Sequence, residues 1–171
     1  MKLTTKQLTL CALLTAMALA LSYLENFFPL SLAIPVPGVK LGLANIVTVF
    51  ALYVLGAGQA MMILFARCFL GAVFAGNMNA LIFSVMGGFT AMLMMTGLSK
   101  SRKLSVYGVS IGGAAAHNCG QVAAAILTLG NTAPLYYLPV LLWVSLLTGT
   151  LTGVISGCLF RALRHTKLIK D

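Results

Sequence analysis

The fold depends on one stretch, PVPGVKLGLAN at positions 35–45, which is the longest irregular segment of the sequence. It contains two prolines and two glycines, and its Lys40 is the only lysine that lies far from the basic clusters. On both sides of this stretch the chain is a succession of long apolar runs. The pattern predicts helices that surround an interior, with this segment as the lid or floor of what they enclose.

The composition defines the class of protein. Hydrophobic residues make up 60% of the 171 residues and charged residues only 8%, whereas a soluble domain carries about 25% charged residues. In lipid, only helices and closed barrels satisfy their backbone hydrogen bonds. Barrel strands alternate apolar and polar residues over about ten positions, but the apolar runs here are continuous. We therefore expect an all-α integral membrane protein with a single transmembrane domain over residues 1–171.

Turn residues divide the chain into six predicted transmembrane helices with an irregular outer loop between helices 1 and 2. Thr4 and Gln7 are predicted to form a capping box at the start of the first helix. The second helix, with about 15 residues, would be about 22 Å long, which is short of a hydrocarbon core of about 30 Å. Either the preceding chain re-enters the membrane or this helix covers only part of its depth. The six spans are predicted at about 5–28, 41–55, 59–75, 80–98, 105–129 and 135–163.

The net charge of +9 is unevenly distributed along the chain. Basic residues gather at the two termini and in one loop, as the positive-inside rule requires of cytoplasmic segments. This pattern indicates a membrane protein surrounded by lipid, not a partner of nucleic acid, and it places both termini in the cytoplasm. Nine of the eleven basic residues lie on that side: Lys2, Lys6, Lys100, Arg102, Lys103, Arg161, Arg164, Lys167 and Lys170.

Arg67 is predicted to lie in the middle of the third span. An arginine at that depth costs about 2.5–3.5 kcal/mol even on the gentler insertion scales, so it must face the bundle interior and meet an acceptor. One reading pairs it with backbone carbonyls or with Glu25, which is the only acid in the spans. The other makes it an anion-binding group for a ligand.

A second polar group lies near the middle of the fifth span. His117, Asn118 and Gln121 are three or four positions apart, so they occupy one sector of a helix. Small residues surround them, and these allow another helix to approach or leave a hollow beside the polar groups. The group is therefore either an interhelical hydrogen-bond cluster or a ligand-contacting face.

Three further polar residues are candidates for ligand binding. Lys40 and Asn45 lie near the start of the second span, where a helix N-terminus favours an anion; Lys40 could instead snorkel to the outer headgroups. Asn77 lies in a tight turn, where an asparagine also serves simple turn chemistry.

Two stripes of small residues repeat every four positions. One consists of Ala12, Ala16 and Ala20 on the first span, and the other of Gly149, Gly153 and Gly157 on the sixth. Such stripes allow close contact between helices. We expect the glycines to serve internal packing, whereas the alanines could also form a partner interface.

The sequence contains no recognisable catalytic constellation. Prenyl transfer needs clustered aspartates to hold magnesium on a diphosphate, and the only acids are Glu25 and Asp171. There is no Walker A loop, and the histidines and cysteines lack metal-ligand spacing. We expect a protein that is not an enzyme and that has no cofactor and no metal site.

The motif at positions 35–45, PxPGxKLGLAN, together with HNxGQ at 117–121, resembles the Gx transporter family over nearly the whole chain. This family is also labelled heptaprenyl diphosphate synthase component I. It is similar to the S components of energy-coupling factor transporters, which are six-helix proteins of the bacterial cell membrane. S components capture a vitamin or metal beneath the loop between spans one and two.

The resemblance implies a membrane substrate-binding component for uptake of a vitamin-like molecule or cofactor precursor. It implies docking through Ala12, Ala16 and Ala20 on an energy-coupling T component with two ATPases. The alternative is a non-catalytic membrane subunit associated with prenyl diphosphate or quinone biosynthesis. The residues it would place around the ligand are Lys40, Asn45, Arg67, His117, Asn118 and Gln121, to which the turn residue Asn77 is added as a further candidate.

Overall fold

The computed structural model describes residues 4–25, 27, 42–101 and 104–165, without the side chains of residues 163–165. The described chain is helical and contains no strand, so the all-α class is confirmed. A short 3₁₀ segment, Ala133–Tyr137, precedes the last helix. The helices are α1 Thr5–Glu25, α2 Asn45–Val54, α3 Ala57–Ala75, α4 Met78–Ser99, α5 Val106–Leu129 and α6 Leu138–His165.

Four segments of the described chain are long and apolar enough to cross a membrane: Thr5–Glu25, Ala57–Ala75, Met78–Ser99 and Ala133–Ala162. The helix α2 has only 10 residues, or about 15 Å at 1.5 Å per residue, which is half of a typical hydrocarbon core. The helix α5 has 24 residues, but several of its buried side chains are polar. The helices are those of a membrane protein, and a count of six crossings stays a prediction.

Local signals in the sequence set several helix ends. The capping box at the start of α1 is present: the Thr4 N–H donates to Gln7 Oε1 at 3.1 Å, and the Gln7 N–H donates to Thr4 Oγ1 at 3.4 Å. The helices α3 and α5 end at Gly76 and Gly130, whose φ angles are +60° and +66°. Glycine adopts this left-handed conformation without steric cost and closes a helix.

The helix α5 packs between α4 and α6, antiparallel to both. A Cβ added at Gly120 would lie 2.5 Å from the carbonyl oxygen of Met86 on α4. A Cβ added at Gly149 of α6 would lie 2.6 Å from the Cα of Ile111 on α5, and Gly153 is similarly close to Tyr107. The glycines of α6 therefore bring two backbones into contact, and this part of the stripe serves internal packing.

The bundle has two ends of different character. Because consecutive helices reverse direction, the start of α1, the end of α4 and the end of α6 share one end, which carries Lys6, Lys100 and Arg161. We call this the basic end. The opposite end holds the last residue of α1, Glu25, together with the starts of α2, α4 and α6, and we call it the cavity end. The middle of the bundle is filled by buried apolar side chains of α1 to α5.

Only part of the stretch at 35–45 is described. Residues 35–41, including Lys40, lie outside the described residues, so the predicted role of this segment as a lid stays a prediction. Gly42, with φ +82°, leads into α2. Asn45 is buried as the first residue of that helix.

Candidate functional site

A cavity of about 180 Å³ lies at the cavity end, between α1, α3, α4 and α5. Its walls combine apolar side chains with a small set of polar ones, which is the composition of small-molecule sites between the helices of a bundle. The charged and polar side chains that line it are Ser22, Tyr23, Glu25, Arg67, Ser84, His117 and Gln121.

Arg67 enters the cavity wall from the middle of α3 and is 8% exposed. Its Nη2 donates to Oδ1 of Asn45 at 3.4 Å, while its Nε is buried without a hydrogen-bond partner. A guanidinium group has five N–H donors. Within the described residues, Arg67 forms no ion pair, so the predicted pairing with Glu25 is not the arrangement found.

Glu25 instead connects the end of α1 to the start of α2. Its carboxylate Oε1 accepts from the N–H of Gly42 and, at 3.4 Å, from the N–H of Leu43. These two residues lead into α2, whose cap residue, Ala44, makes no side-chain capping hydrogen bond. A carboxylate at a helix N-terminus is stabilised by the free N–H groups and the helix dipole. The carboxylate of Glu25, which belongs to α1, therefore caps the segment that leads into the neighbouring helix α2.

His117 and Gln121 line the same cavity from α5 and are 5% and 1% exposed. Both lie against Gly87 of α4, where an added Cβ would be 2.9 Å from His117 Cε1 and 3.0 Å from Gln121 Cγ. At Gly88 an added Cβ would lie 3.5 Å from Arg67 Nη2. Gly87 thus leaves room for His117 and Gln121, whereas the nearest atom to a Cβ added at Gly88 is Cδ1 of Leu64, at 2.5 Å.

Neither the position of Gly87 beside His117 and Gln121 nor the contact of Glu25 with the start of α2 was predicted from the sequence. A signal for the glycines was present, because a glycine inside a helix costs about 1 kcal/mol relative to alanine and so calls for a packing or functional reason. Their partners become visible only once the packing of α4 on α5 is known.

Asn118 lies apart from the cavity although it is next to His117 in the chain. Its Nδ2 donates to the backbone carbonyl oxygen of Leu141 on α6 at 2.8 Å. The structure therefore divides the predicted group: His117 and Gln121 face the cavity, and Asn118 makes the interhelical hydrogen bond that was the alternative interpretation.

Asn77 and Lys40 complete the predicted set. Asn77 is exposed and caps α4, since its side-chain oxygen accepts from the N–H of Asn79 at 2.9 Å and of Ala80 at 3.4 Å. This is the turn chemistry that was its alternative interpretation, and the side chain does not line the cavity. Lys40 lies outside the described residues.

The alanine stripe of α1 is exposed at Ala12, Ala16 and Ala20. Ala12 and Ala16 line a second, shallower and mostly apolar groove of about 360 Å³ between α1 and α3. Small side chains on this surface leave the backbone of α1 open to close approach by another helix.

The model of one protein family, heptaprenyl diphosphate synthase component I, matches residues 14–159. The chain belongs to this family. The match extends from the middle of α1 into the last part of α6 and contains every residue that lines the cavity. The predicted family is thereby confirmed, whereas the similarity to S components stays a prediction. Neither a curated protein nor a solved structure matches the chain.

Proposed function

We propose that this chain is a membrane substrate-binding protein for uptake of a small vitamin-like molecule or cofactor precursor. The observation that carries the proposal is the cavity at one end of the bundle, lined by the buried polar side chains of Arg67, His117 and Gln121. Buried polar and charged side chains within membrane helices are costly and mark substrate pathways by default. A cavity that collects three of them has the form of a binding site.

The distribution of charge indicates which side of the membrane the site faces. The basic end carries Lys6, Lys100 and Arg161, and the positive-inside rule assigns that end to the cytoplasm. The cavity end then faces the outside of a bacterial inner membrane, and both termini are cytoplasmic. In this orientation the site is placed to receive a solute from outside.

Inward delivery needs an energy source from another protein, because the sequence has no Walker A loop. In this proposal the partner is a T component with two ATPases, and it docks on the exposed alanine stripe of α1. The groove beside Ala12 and Ala16 supports this role because it offers an apolar surface at which another helix can approach closely.

The docking proposal is tested by Ala16→Leu. The added side chain fills the groove, so we expect the T component to be lost from affinity purifications while ligand binding to the isolated protein is unchanged. The matched control is Ala162→Leu, which adds the same bulk at an exposed position near the end of α6. Retained coupling in Ala16→Leu, measured by co-purification and by uptake into vesicles, would contradict the docking role.

The ligand-binding function is tested by native mass spectrometry of the protein purified from its own membrane. We expect a small molecule bound in a ratio of one to one, and its loss when Gln121 is replaced by alanine. Uptake of that molecule into vesicles containing the energising module then tests transport itself.

A second candidate function follows from the name of the family. The chain would be a non-catalytic membrane subunit of a prenyl diphosphate synthase. This candidate predicts stable co-purification with a prenyl synthase and no dependence of that association on Ala16. Recovery of a synthase in place of a T component would decide in its favour.

A further inference from the structure

The guanidinium group of Arg67 is a buried charge without a counter-ion among the described residues. It is 8% exposed, its Nε has no partner, and its single protein acceptor is the neutral Asn45 Oδ1 at 3.4 Å. Buried charges are normally paired and hydrogen-bonded because an unpaired one is costly. The guanidinium group of Arg67 therefore lacks part of the pairing and hydrogen bonding that a buried charge normally has.

The surroundings keep this charge beside the cavity. Asn45 holds Nη2 from α2, and a Cβ added at Gly88 of α4 would lie 3.5 Å from the same nitrogen, an ordinary van der Waals distance. Arg67 itself lines the cavity. An anionic group bound in the cavity would supply an acceptor for the guanidinium group of Arg67.

The chemistry of the site limits the kind of anion. Arginine matches planar carboxylates through paired N–H donors. Among the described side chains that line the cavity, Arg67 is the only lysine or arginine, and the wall also contains the carboxylate of Glu25. A diphosphate carries several charges and is usually held by several cations or by magnesium, whereas the described side chains of this wall provide a single cation.

The size of the cavity limits the ligand further. Its volume of about 180 Å³ is below the range of about 300–1,000 Å³ that is typical of pockets for drug-sized ligands. A long prenyl chain does not fit within it. The polar groups of His117 and Gln121 on α5 suit a second, uncharged polar feature of a small ligand.

From these observations we infer that the ligand is a small monoanion whose carboxylate binds to Arg67, and that it is not a prenyl diphosphate. This inference rests on the proposed function and names the substrate class of the same cavity. It assigns Arg67 to the ligand and leaves Glu25 to the start of α2.

The test uses pairs of probes that have the same shape and differ in charge. Benzoate is compared with benzamide, and 3-phenylpropionate with 3-phenylpropionamide, by calorimetric titration of the full chain in detergent. We expect the carboxylate of at least one pair to bind at least tenfold more tightly than its amide. Equal affinities within both pairs, or no binding by either carboxylate, would overturn the inference.

Variants of Arg67 then test whether this residue is responsible for the preference for the carboxylate over the amide. Arg67→Met is expected to remove carboxylate binding, and Arg67→Lys, which keeps a positive charge, to retain part of it. If the methionine variant does not yield a monodisperse protein, Arg67→Gln replaces it as a polar variant without charge. Carboxylate affinity that is unchanged in the neutral variant would contradict the role of Arg67.

Farnesyl diphosphate is the probe for the excluded class. We expect it not to compete with the carboxylate that binds. Competition with that carboxylate in the unmodified protein would overturn the limit to small monoanions and favour the subunit of a prenyl synthase.

The outcomes separate this inference from the proposed function. If native mass spectrometry finds a neutral molecule that the vesicles accumulate, the uptake function holds and the anion inference is wrong. If carboxylates bind through Arg67 but no energising module ever supports uptake, the anion site holds and the transport function is wrong.

Discussion

Two glycine-containing surfaces of the bundle use the missing side chain for opposite purposes. At Gly149, between α5 and α6, the atoms that an added Cβ would meet are backbone atoms of residues 110 and 111. At Gly87, beside the cavity, they are side-chain atoms of His117 and Gln121. In the first case glycine brings two helices together, and in the second it makes room for polar side chains. The atoms that face a buried glycine therefore separate a packing contact from part of a site.

The largest expected effect comes from breaking the packing contact. Gly149→Ala would place a Cβ 2.6 Å from the Cα of Ile111, and the backbone cannot yield as a flexible side chain can. We expect the free energy of unfolding to fall by about 3 kcal/mol, at the upper end of typical overpacking costs. Denaturant-induced unfolding in detergent measures this change.

The control for this substitution is Gly97→Ala on α4, where no atom lies within 4 Å of the added Cβ. Alanine is the better helix former by about 0.5–1 kcal/mol, so this variant should be as stable as the original protein or slightly more stable. Similar losses in both variants would mean that the contact with α5 has no special role.

A smaller effect is expected at the cavity, and it should appear in binding. Gly87→Ala pushes on the imidazole of His117 and the side chain of Gln121, both of which can shift by a few tenths of an ångström. We expect the affinity for the bound carboxylate probe to fall about tenfold, or about 1.4 kcal/mol, with little change in unfolding. Titration calorimetry measures the affinity, with Gly97→Ala again as the matched variant on the same helix. A large loss of stability with unchanged affinity would mean that Gly87, like Gly149, serves the packing of helices and not the site.

The smallest effect is expected from Asn118→Ala. It removes the 2.8 Å hydrogen bond to Leu141, and interhelical hydrogen bonds in membrane proteins contribute about 0.6 kcal/mol on average. Unfolding should be easier by about that amount, and ligand affinity should not change. Gln121→Ala, three positions further along the helix, should show the reverse. Reduced ligand affinity in Asn118→Ala would mean that Asn118 contributes to ligand binding.

The helices could be predicted from the sequence because their ends depend on local signals. The predicted ends at Ala75 and Leu129 are those of α3 and α5, since a glycine follows each and adopts the left-handed conformation. The capping box at Thr4 is likewise a matter of four consecutive residues. Such features need no knowledge of the neighbouring helices.

The site could be predicted only in part, because its geometry depends on how the helices pack. Arg67, His117 and Gln121 were identified from the rarity of polar groups in apolar helices. Asn118 was grouped with them by spacing, but successive residues point about 100° apart, and α5 has α4 on one side and α6 on the other. A step of one position along α5, from His117 to Asn118, therefore turns the side chain from the cavity to α6. The register that places Gly87 against His117 is not encoded in any local pattern.

The contact between Glu25 and the start of α2 has an evolutionary consequence. It joins two positions that are 17 residues apart in the chain and anchors the start of α2 to the end of α1. A related chain that loses this acid would leave two N–H groups without their acceptor, so we expect related chains to keep an acceptor here or to supply one from another residue.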